Sequence, residues 1–134
     1  MGYVVDTSVL IDAERGTLDI RKAVGRRTGR EFFLSVISAS ELLHGVHRAI
    51  DPGIRARRSA FVEGILARFP CLPIDLPIAR IHAELWAMLQ RKGTLVGTHD
   101  MWIAASALAR GCTVATTNLR EFRRVKGLSV ELWK

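Results

Sequence analysis

Short runs of β-branched and aromatic residues recur along the chain, separated by longer segments with helical spacing. Residues 3–5 (Tyr-Val-Val), 32–36 and 112–117 are typical of buried strands, because such side chains suit a pleated surface. Weaker runs at 71–74 and 128–132 would add two more strands. The proline inside 71–74 favours an edge position, since proline cannot donate to a central ladder. We therefore predict a sheet of four to five strands.

Apolar residues at helical spacing fill the segments between these runs. Asp51-Pro52 is a favourable helix start, because Asp caps the first turn and proline fits there. Ser38-Ala39-Ser40-Glu41 matches a capping box, so we predict a helix start at Ser38. The predicted helices cover residues 9–16, 18–27, from 38 onward, 51–68, 77–93 and 100–108. Strands alternating with helices predict an α/β fold, a mostly parallel central sheet flanked by helices, and 134 residues suffice for a single domain, 1–134.

The charge balance narrows the choice of partners. Twenty Lys and Arg face thirteen Asp and Glu, for a net charge of +7. Such a surplus favours a polyanionic partner, nucleic acid before an acidic membrane surface, although a basic surface that serves only solubility stays open. The candidate contacts to RNA are Arg26, Arg27, Arg55 and Arg58. No apolar stretch is long enough to span a bilayer and no targeting signal is evident, so we expect a cytoplasmic protein.

Cysteines and tryptophans fit core positions better than special chemistry. Cys71 and Cys112 match no zinc spacing and no disulfide framework, so we expect reduced core thiols. Trp86 and Trp102 fall in helical apolar patterns and are expected to be core or dimer contacts rather than base-stacking platforms. Trp133, at an expected mobile C-terminus, is the possible exception.

Three acids stand at junctions between elements. Asp6 ends the first strand, Glu41 lies at the start of the helix after the second, and Asp100 starts an unusually apolar helix before the fourth. Each acid has a simpler interpretation as a helix cap or a favourable partner of the helix dipole. In a parallel sheet, however, such junctions gather beyond the carboxyl ends of the strands, where ligands bind.

Clustered carboxylates would need a counter-charge. At about 4 Å and an effective dielectric near 20, each pair costs around 4 kcal/mol, unless one acid is protonated or a divalent cation lies among them. Oxygen-only ligands favour Mg²⁺ or Mn²⁺ over zinc. Such a metal on a basic domain indicates phosphodiester hydrolysis, in which the metal polarises the phosphoryl oxygen and lowers the pKa of the attacking water.

Four motifs in order resemble a known family. They are Tyr3-Val4-Val5-Asp6-Thr7-Ser8, Glu41-Leu42-Leu43-His44-Gly45, Asp100-Met101-Trp102-Ile103-Ala104-Ala105 and Thr116-Thr117-Asn118-Leu119-Arg120-Glu121-Phe122. Together they are similar to PIN-domain ribonucleases, and in particular to the VapC toxins of bacterial toxin–antitoxin pairs. The resemblance implies a single PIN-like domain and a Mg²⁺- or Mn²⁺-dependent endoribonuclease, with Asp6, Glu41 and Asp100 as its acidic site. It also implies an RNA substrate, a homodimer and a VapB-type antitoxin partner.

One position departs from the family pattern. Many PIN domains have Asp where this chain has Asn118, so either Asn118 or Glu121, three residues on, would complete the site. The resemblance also makes Thr7 and Thr116 candidates to hold a metal-bound water or a phosphate oxygen. His99 precedes Asp100 and is expected near the site.

Two other functions stay open. A haloacid-dehalogenase-type phosphatase also begins with an apolar strand ending in Asp, but its acid/base chemistry needs a second Asp two residues later, where this chain has Ser8. A non-catalytic RNA- or partner-binding module would keep the fold and the basic surface, and the loss of an acid at Asn118 favours it. Metal dependence separates a nuclease from such a binder.

Overall fold

A computed structural model describes residues 2–134, which form one sheet with helices on both of its faces. The strands are β1 (Gly2–Val5), β2 (Glu31–Ser35), β3 (Cys71–Leu72), β4 (Thr113–Thr116) and β5 (Val130–Leu132). The helices are α1 (Thr7–Arg15), α2 (Ile20–Gly25), α3 (Val36–Arg48), α4 (Pro52–Arg68), α5 (Leu76–Lys92), α6 (Thr98–Arg110) and α7 (Leu119–Phe122). The predicted α/β architecture is confirmed.

The strand order is β3-β2-β1-β4-β5, and all four neighbouring pairs are parallel. The chain therefore leaves β1 toward β2 on one side and returns to β4 on the other. The crevice between β1 and β4, beyond their carboxyl ends, is the topological switch point at which α/β sheets bind ligands. The edge position predicted for the strand in 71–74 is also confirmed, because β3 is the outermost strand, although it ends at Leu72 and leaves the proline just outside.

Alternate residues of β1 face two separate cores, as the two-residue period of a strand requires. Val5 packs with residues of α1, α2, α3 and α4 on one face, whereas Val4 packs with α5, α6 and α7 on the other. Residues 103–107 of α6 are all buried. The apolar helix expected from Asp100 onward is thus buried within the domain.

Several local predictions were wrong. Helix α3 begins at Val36 rather than Ser38, because the Ser35 hydroxyl accepts the N–H of Ile37 (3.1 Å) and caps the helix one turn earlier. Glu41 consequently lies in the second turn of α3 and is not part of a capping box. Cys71 is exposed, so only Cys112 is a core thiol. Helix α7, a single turn, was not predicted.

Side-chain contacts connect β5, the last strand, with β1, the first. Glu131 accepts hydrogen bonds from the Tyr3 hydroxyl (2.9 Å) and from Arg27 Nε (2.7 Å). The Arg27 guanidinium also lies over the Trp133 ring, 4.3 Å from its centroid. Burial opposes ionisation of Glu131, but these hydrogen bonds outweigh it and hold its pKa below the usual range. Trp133 is only 2% exposed, so the prediction of a mobile terminus was wrong.

Among the described residues, no helix combines the length and the apolar character that a bilayer crossing needs.

Candidate active site

Asp6 lies at the switch point, immediately after β1. Its N–H donates to the Ala115 carbonyl of β4 (2.8 Å), which fixes the backbone at the end of the strand. Its carboxylate is 5% exposed, and Oδ2 accepts hydrogen bonds from Ser8 Oγ (2.7 Å) and Thr116 Oγ1 (2.8 Å). Although Asp6 occupies the N-cap position of α1, its side chain makes no capping hydrogen bond. The interpretation of Asp6 as a helix cap is therefore wrong.

Opposing effects act on the ionisation of Asp6. Burial is the largest and raises the pKa of the carboxyl, because the low-dielectric interior disfavours charge. The hydroxyls of Ser8 and Thr116 lower the pKa, because they donate hydrogen bonds to the ionised carboxylate. The negative charge of Glu41 raises the pKa further, which shows that the two acids face the same space.

Thr7 and His99 orient the carboxylate of Glu41. Thr7 Oγ1 donates to Glu41 Oε1 (2.8 Å) and lies 2.9 Å from Ser38 Oγ, so α1 and α3 are joined at their first turns. His99 Nδ1 lies 3.2 Å from Glu41 Oε2, which places His99 beside the site as expected. The two oxygens of Glu41 thus point toward α1 and α6, respectively.

Asp100 and Glu121 form a carboxyl pair. Burial, a hydrogen bond with Glu121 and the negative charges of Asp6, Glu121 and Glu41 raise the pKa of Asp100 to about 8. The same hydrogen bond from Asp100, helped by the N–H of Gly97, lowers the pKa of Glu121 against the opposing effect of its burial. The shared proton therefore belongs to Asp100 at neutral pH. A methyl group added at Gly97 would lie 3.4 Å from Glu121 Oε2 and 3.7 Å from Asp100 Oδ2, which shows how close these acids lie.

Asn118 has a different task from Glu121. Its side-chain Oδ1 accepts the N–H of Arg120 (3.2 Å) and so caps α7, and its own N–H donates to Thr116 Oγ1 (3.0 Å). The capped turn of α7 brings Glu121 next to Asp100. The sequence motif contained both residues, but the position of Glu121 depends on the unpredicted helix.

In this arrangement each acid has its own partners: Asp6 and Glu41 interact with hydroxyl and histidine side chains, and only Asp100 pairs with another acid, Glu121. Across residues 2–134, no three His, Cys, Asp or Glu side chains converge closely enough to hold a metal ion. The donors are nevertheless the oxygens that Mg²⁺ and Mn²⁺ prefer. The repulsion that raises the pKa of Asp100 is also what a divalent cation would relieve. The residues therefore fit such an ion in their chemistry.

A family model of the PIN domain matches residues 3–128 of the chain.

The chain belongs to the PIN-domain family.

Similar proteins share nearly the whole length of this PIN domain. The tRNA(fMet)-specific endonuclease VapC of Salmonella typhimurium is 36% identical over 132 residues, which cover 98% of this chain and 97% of that protein. Ribonuclease VapC1 of Rickettsia felis is 34% identical over 130 residues, which cover 97% of this chain and 95% of that protein. A solved structure of DNA-bound VapBC from Salmonella typhimurium matches with a TM-score of 0.90 at 35% identity and covers 100% of this chain and 99% of that one. These relatives place the chain with the VapC proteins, as its motifs indicated.

A cavity of about 650 Å³ adjoins the acids of the PIN domain. Thr7, Glu41 and His99 line one end of it, and the rest has a mixed lining that includes apolar residues, Glu14 and several basic side chains. The basic lining residues are Arg15, His44, Arg48 and Arg58. Arg15 and Arg48 could meet the phosphates of an anionic chain in this cavity, whereas Arg58 pairs with Glu14.

Three of the four arginines expected to contact RNA make contacts within the domain. Arg27 pairs with Glu131, Arg55 Nε donates to the Ala49 carbonyl (2.9 Å), and Arg58 donates to the Gly45 carbonyl (3.0 Å). Arg58 also lies 3.3 Å from Glu14 and still lines the cavity. The remaining candidate, Arg26, forms the C-cap of α2 and is exposed.

Sequence reasoning did not assign two hydroxyls that the structure places in the site. Ser8 donates to Asp6, and Ser38 lies against Thr7. Ser8 lies in the same motif as Asp6, so its position two residues after the acid was the available signal. The Ser8 hydroxyl occupies the position at which a phosphatase of the dehalogenase type needs a carboxylate, and family membership excludes that alternative.

Proposed function

We propose that this PIN domain is a Mg²⁺- or Mn²⁺-dependent endoribonuclease and acts as the toxin of a VapBC-type toxin–antitoxin pair. The observation that carries the proposal is that Asp6 and Glu41 are held beside the first turn of α1 at the switch point of the sheet, and that the first turn of α6, which carries Asp100, reaches Glu41 through His99. The ribonuclease and endonuclease names of relatives at 34–36% identity support the same activity.

Asp6, Glu41 and Asp100 would hold the cation, and neighbouring hydroxyls would keep them in position. A Mg²⁺ or Mn²⁺ ion bound there supplies polarisation of the phosphoryl oxygen and a lower pKa for the attacking water. Thr116 holds Asp6 from β4, and Thr7 holds Glu41 from α1. Asp6 and Glu41 are therefore each held by a residue of another element.

Glu121, rather than Asn118, completes the acidic site in this proposal. Glu121 hydrogen-bonds Asp100, whereas the amide oxygen of Asn118 is used to cap α7. Binding a cation would displace the proton from Asp100 and leave Glu121 free to take part. The acid missing at the usual family position would thus be replaced from one turn further along the chain.

The partners follow from the same comparisons. A solved VapBC structure from Salmonella typhimurium supports a VapB-type antitoxin as the protein partner, and we propose a homodimer that assembles with it in the cytoplasm. Because a relative at 36% identity is named a tRNA(fMet)-specific endonuclease, initiator tRNA is the first RNA to test.

A non-catalytic RNA-binding PIN domain is the second candidate. It is favoured by the absence, within residues 2–134, of three His, Cys, Asp or Glu side chains close enough together to hold a metal ion. Such a module would bind RNA equally well in chelator and would not cleave it when metal is added.

RNA cleavage by the purified protein, with Mg²⁺, with Mn²⁺ and in chelator, tests the proposal. We expect cleavage only with metal, and we expect Asp6→Asn and Asp100→Asn each to abolish it because each removes a charged ligand. Glu63→Gln, a change of the same kind at an exposed position on α4, should cleave normally. Full activity in either site variant would overturn the assignment, and binding without cleavage would favour the second candidate.

A further inference from the structure

One histidine side chain lies at the edge of the acidic site with much of its surface open to solvent. His99 belongs to the first turn of α6, directly before Asp100. Together with Thr7 and Glu41 it lines the cavity of about 650 Å³ that adjoins the acids. Its side chain is 57% exposed, whereas that of Glu41 is 31% exposed. His99 therefore offers an accessible polar ring to a substrate beside the acids.

Glu41 determines the role of one of the two ring nitrogens of His99. His99 Nδ1 lies 3.2 Å from Glu41 Oε2, and an ionised carboxylate can only accept a hydrogen bond. The hydrogen of a neutral imidazole is therefore favoured on Nδ1, as where other carboxylates orient a histidine. Glu41 is itself held by Thr7, whose hydroxyl donates to Oε1 (2.8 Å). The second ring nitrogen, Nε2, is left for a ligand.

The position of His99 limits which part of an RNA chain it can meet. His99 contacts Glu41 and precedes Asp100, two of the acids proposed to hold the cation. The phosphate that such a cation polarises must lie beside these acids. Along an RNA strand, the sugars are joined directly to the phosphate, and the bases lie farther away. The group that meets His99 is therefore a phosphate oxygen or a ribose hydroxyl.

A ribose hydroxyl suits Nε2 better than a phosphate oxygen does. A phosphate oxygen can only accept a hydrogen bond, so it would need a protonated ring. The 2′-hydroxyl can both donate and accept, so it can bond either form of the imidazole. The contact with a hydroxyl thus does not depend on the charge of His99. Side chains that suit phosphates better, Arg15 and Arg48, line other parts of the same cavity.

We propose that His99 Nε2 hydrogen-bonds the 2′-hydroxyl of a ribose that flanks the cleaved phosphate, and thereby selects RNA over DNA. The 2′-hydroxyl is the group by which a protein distinguishes the two nucleic acids at a given position. It is only recognised here, because the attacking group is the metal-activated water. The contact rests on the proposed nuclease function and adds to it a residue that determines specificity.

Two substitutions separate the role of Nδ1 from that of Nε2. The amide nitrogen of His99→Asn can replace Nδ1 beside Glu41, but nothing replaces Nε2, whereas the longer amide of His99→Gln can reach the Nε2 position. With Mg²⁺, His99→Asn should cleave RNA roughly 2- to 12-fold more slowly than the wild type, the usual effect of one net hydrogen bond. His99→Gln should recover most of that loss. His47→Asn, at an exposed position on α3 outside the cavity, should cleave as the wild type does.

A series of RNAs that each carry one 2′-deoxy sugar tests the hydroxyl itself. At one position the missing hydroxyl should slow the wild type as much as His99→Asn does, and it should slow His99→Asn no further. Affinity for the same RNAs, measured by fluorescence anisotropy in chelator, is a second readout in which the same pairing is expected. The salt dependence of binding should be equal in both proteins, since no phosphate contact is lost.

Paired losses in either readout, with equal salt dependence, support the contact. It is overturned if each 2′-deoxy sugar costs both proteins the same in both readouts. A flatter salt dependence in His99→Asn would also overturn it, because that result indicates a phosphate contact. If one 2′-deoxy sugar abolishes cleavage by both proteins, the hydroxyl is the nucleophile and both proposals are wrong. A wild type that cleaves no RNA with either metal would remove the proposed function, and the affinities in chelator would then decide the contact alone.

Discussion

Replacing Asp100 by Asn should stabilise the metal-free protein, by an amount that depends on pH. In the wild type, folding raises the pKa of Asp100 from 3.8 to about 8. The folded state therefore binds its proton more tightly than the unfolded state does. Stability falls as pH rises between these two values, and it levels off above about 8. Asparagine carries no charge and can donate permanently to Glu121, so the variant avoids this loss.

The gain in stability of Asp100→Asn can be calculated from the pKa shift of Asp100. At 1.36 kcal/mol per pKa unit, the full shift corresponds to about 6 kcal/mol. Because the carboxyl is only half-buried, screening by solvent reduces this to roughly 1–3 kcal/mol. For a chain of this size, that free energy raises the melting temperature by about 3–10 °C.

Thermal melts in chelator at about pH 5.5 and about pH 8.5 measure the effect. The melting temperature of Asp100→Asn should exceed that of the wild type, and the difference should be larger at the higher pH. Glu63→Gln removes an exposed carboxylate on α4 and should show no such trend. Millimolar Mg²⁺ should reduce the difference in melting temperature, because only the wild type offers the ion the full set of acidic ligands. A variant that melts at or below the wild type at high pH would refute the reasoning.

Two other predictions concern the metal and the basic surface. Millimolar Mg²⁺ or Mn²⁺ should raise the melting temperature of the wild type, and Glu41→Gln should reduce that rise; a curve indifferent to both metals would contradict the acidic site. Arg26→Ala should reduce the salt dependence of single-stranded RNA binding by about 0.7 in slope, whereas Arg27→Ala should keep the slope and melt lower, because Arg27 is bound to Glu131 and Trp133. Equal slopes for the two variants would contradict this difference in roles.

The features that the sequence predicted well are those set by local patterns. Three residues that favour a buried strand are followed directly by Asp6. This local pattern predicts both the end of β1 and the position of an acid at that end. The proline in 71–74 is an equally local signal, and β3 ends at Leu72, directly before it, at the edge of the sheet. Asp51 and Pro52 start α4 as predicted, since the Asp51 side chain accepts the N–H of Ile54 (2.9 Å).

The predictions that were wrong or incomplete concern features that local sequence signals do not decide. Ser35 and Ser38 are both suitable caps, and the end of β2 at Ser35 decides between them. The positive charge of the chain indicated an anionic partner. Only the folded structure shows that Arg27 is hydrogen-bonded to Glu131, 104 residues away in the sequence. The position of Glu121 in the site likewise depends on α7, whose single turn is too short to give a periodic signal.

The place of β1 in the sheet has a consequence for the timing of synthesis. β1 is the first strand to be synthesised, whereas its neighbour β4 is the fourth of the five. One of the two hydroxyls that donate to Asp6 belongs to Thr116, 110 residues later in the chain. Contacts between such distant residues form late, because a long loop must close first. A ribosome that has made everything up to α5 has made Asp6 and Glu41 but neither Asp100 nor Thr116. The nascent chain should therefore be unable to attack RNA, including the RNA of the ribosome that carries it, until β4 has emerged and paired.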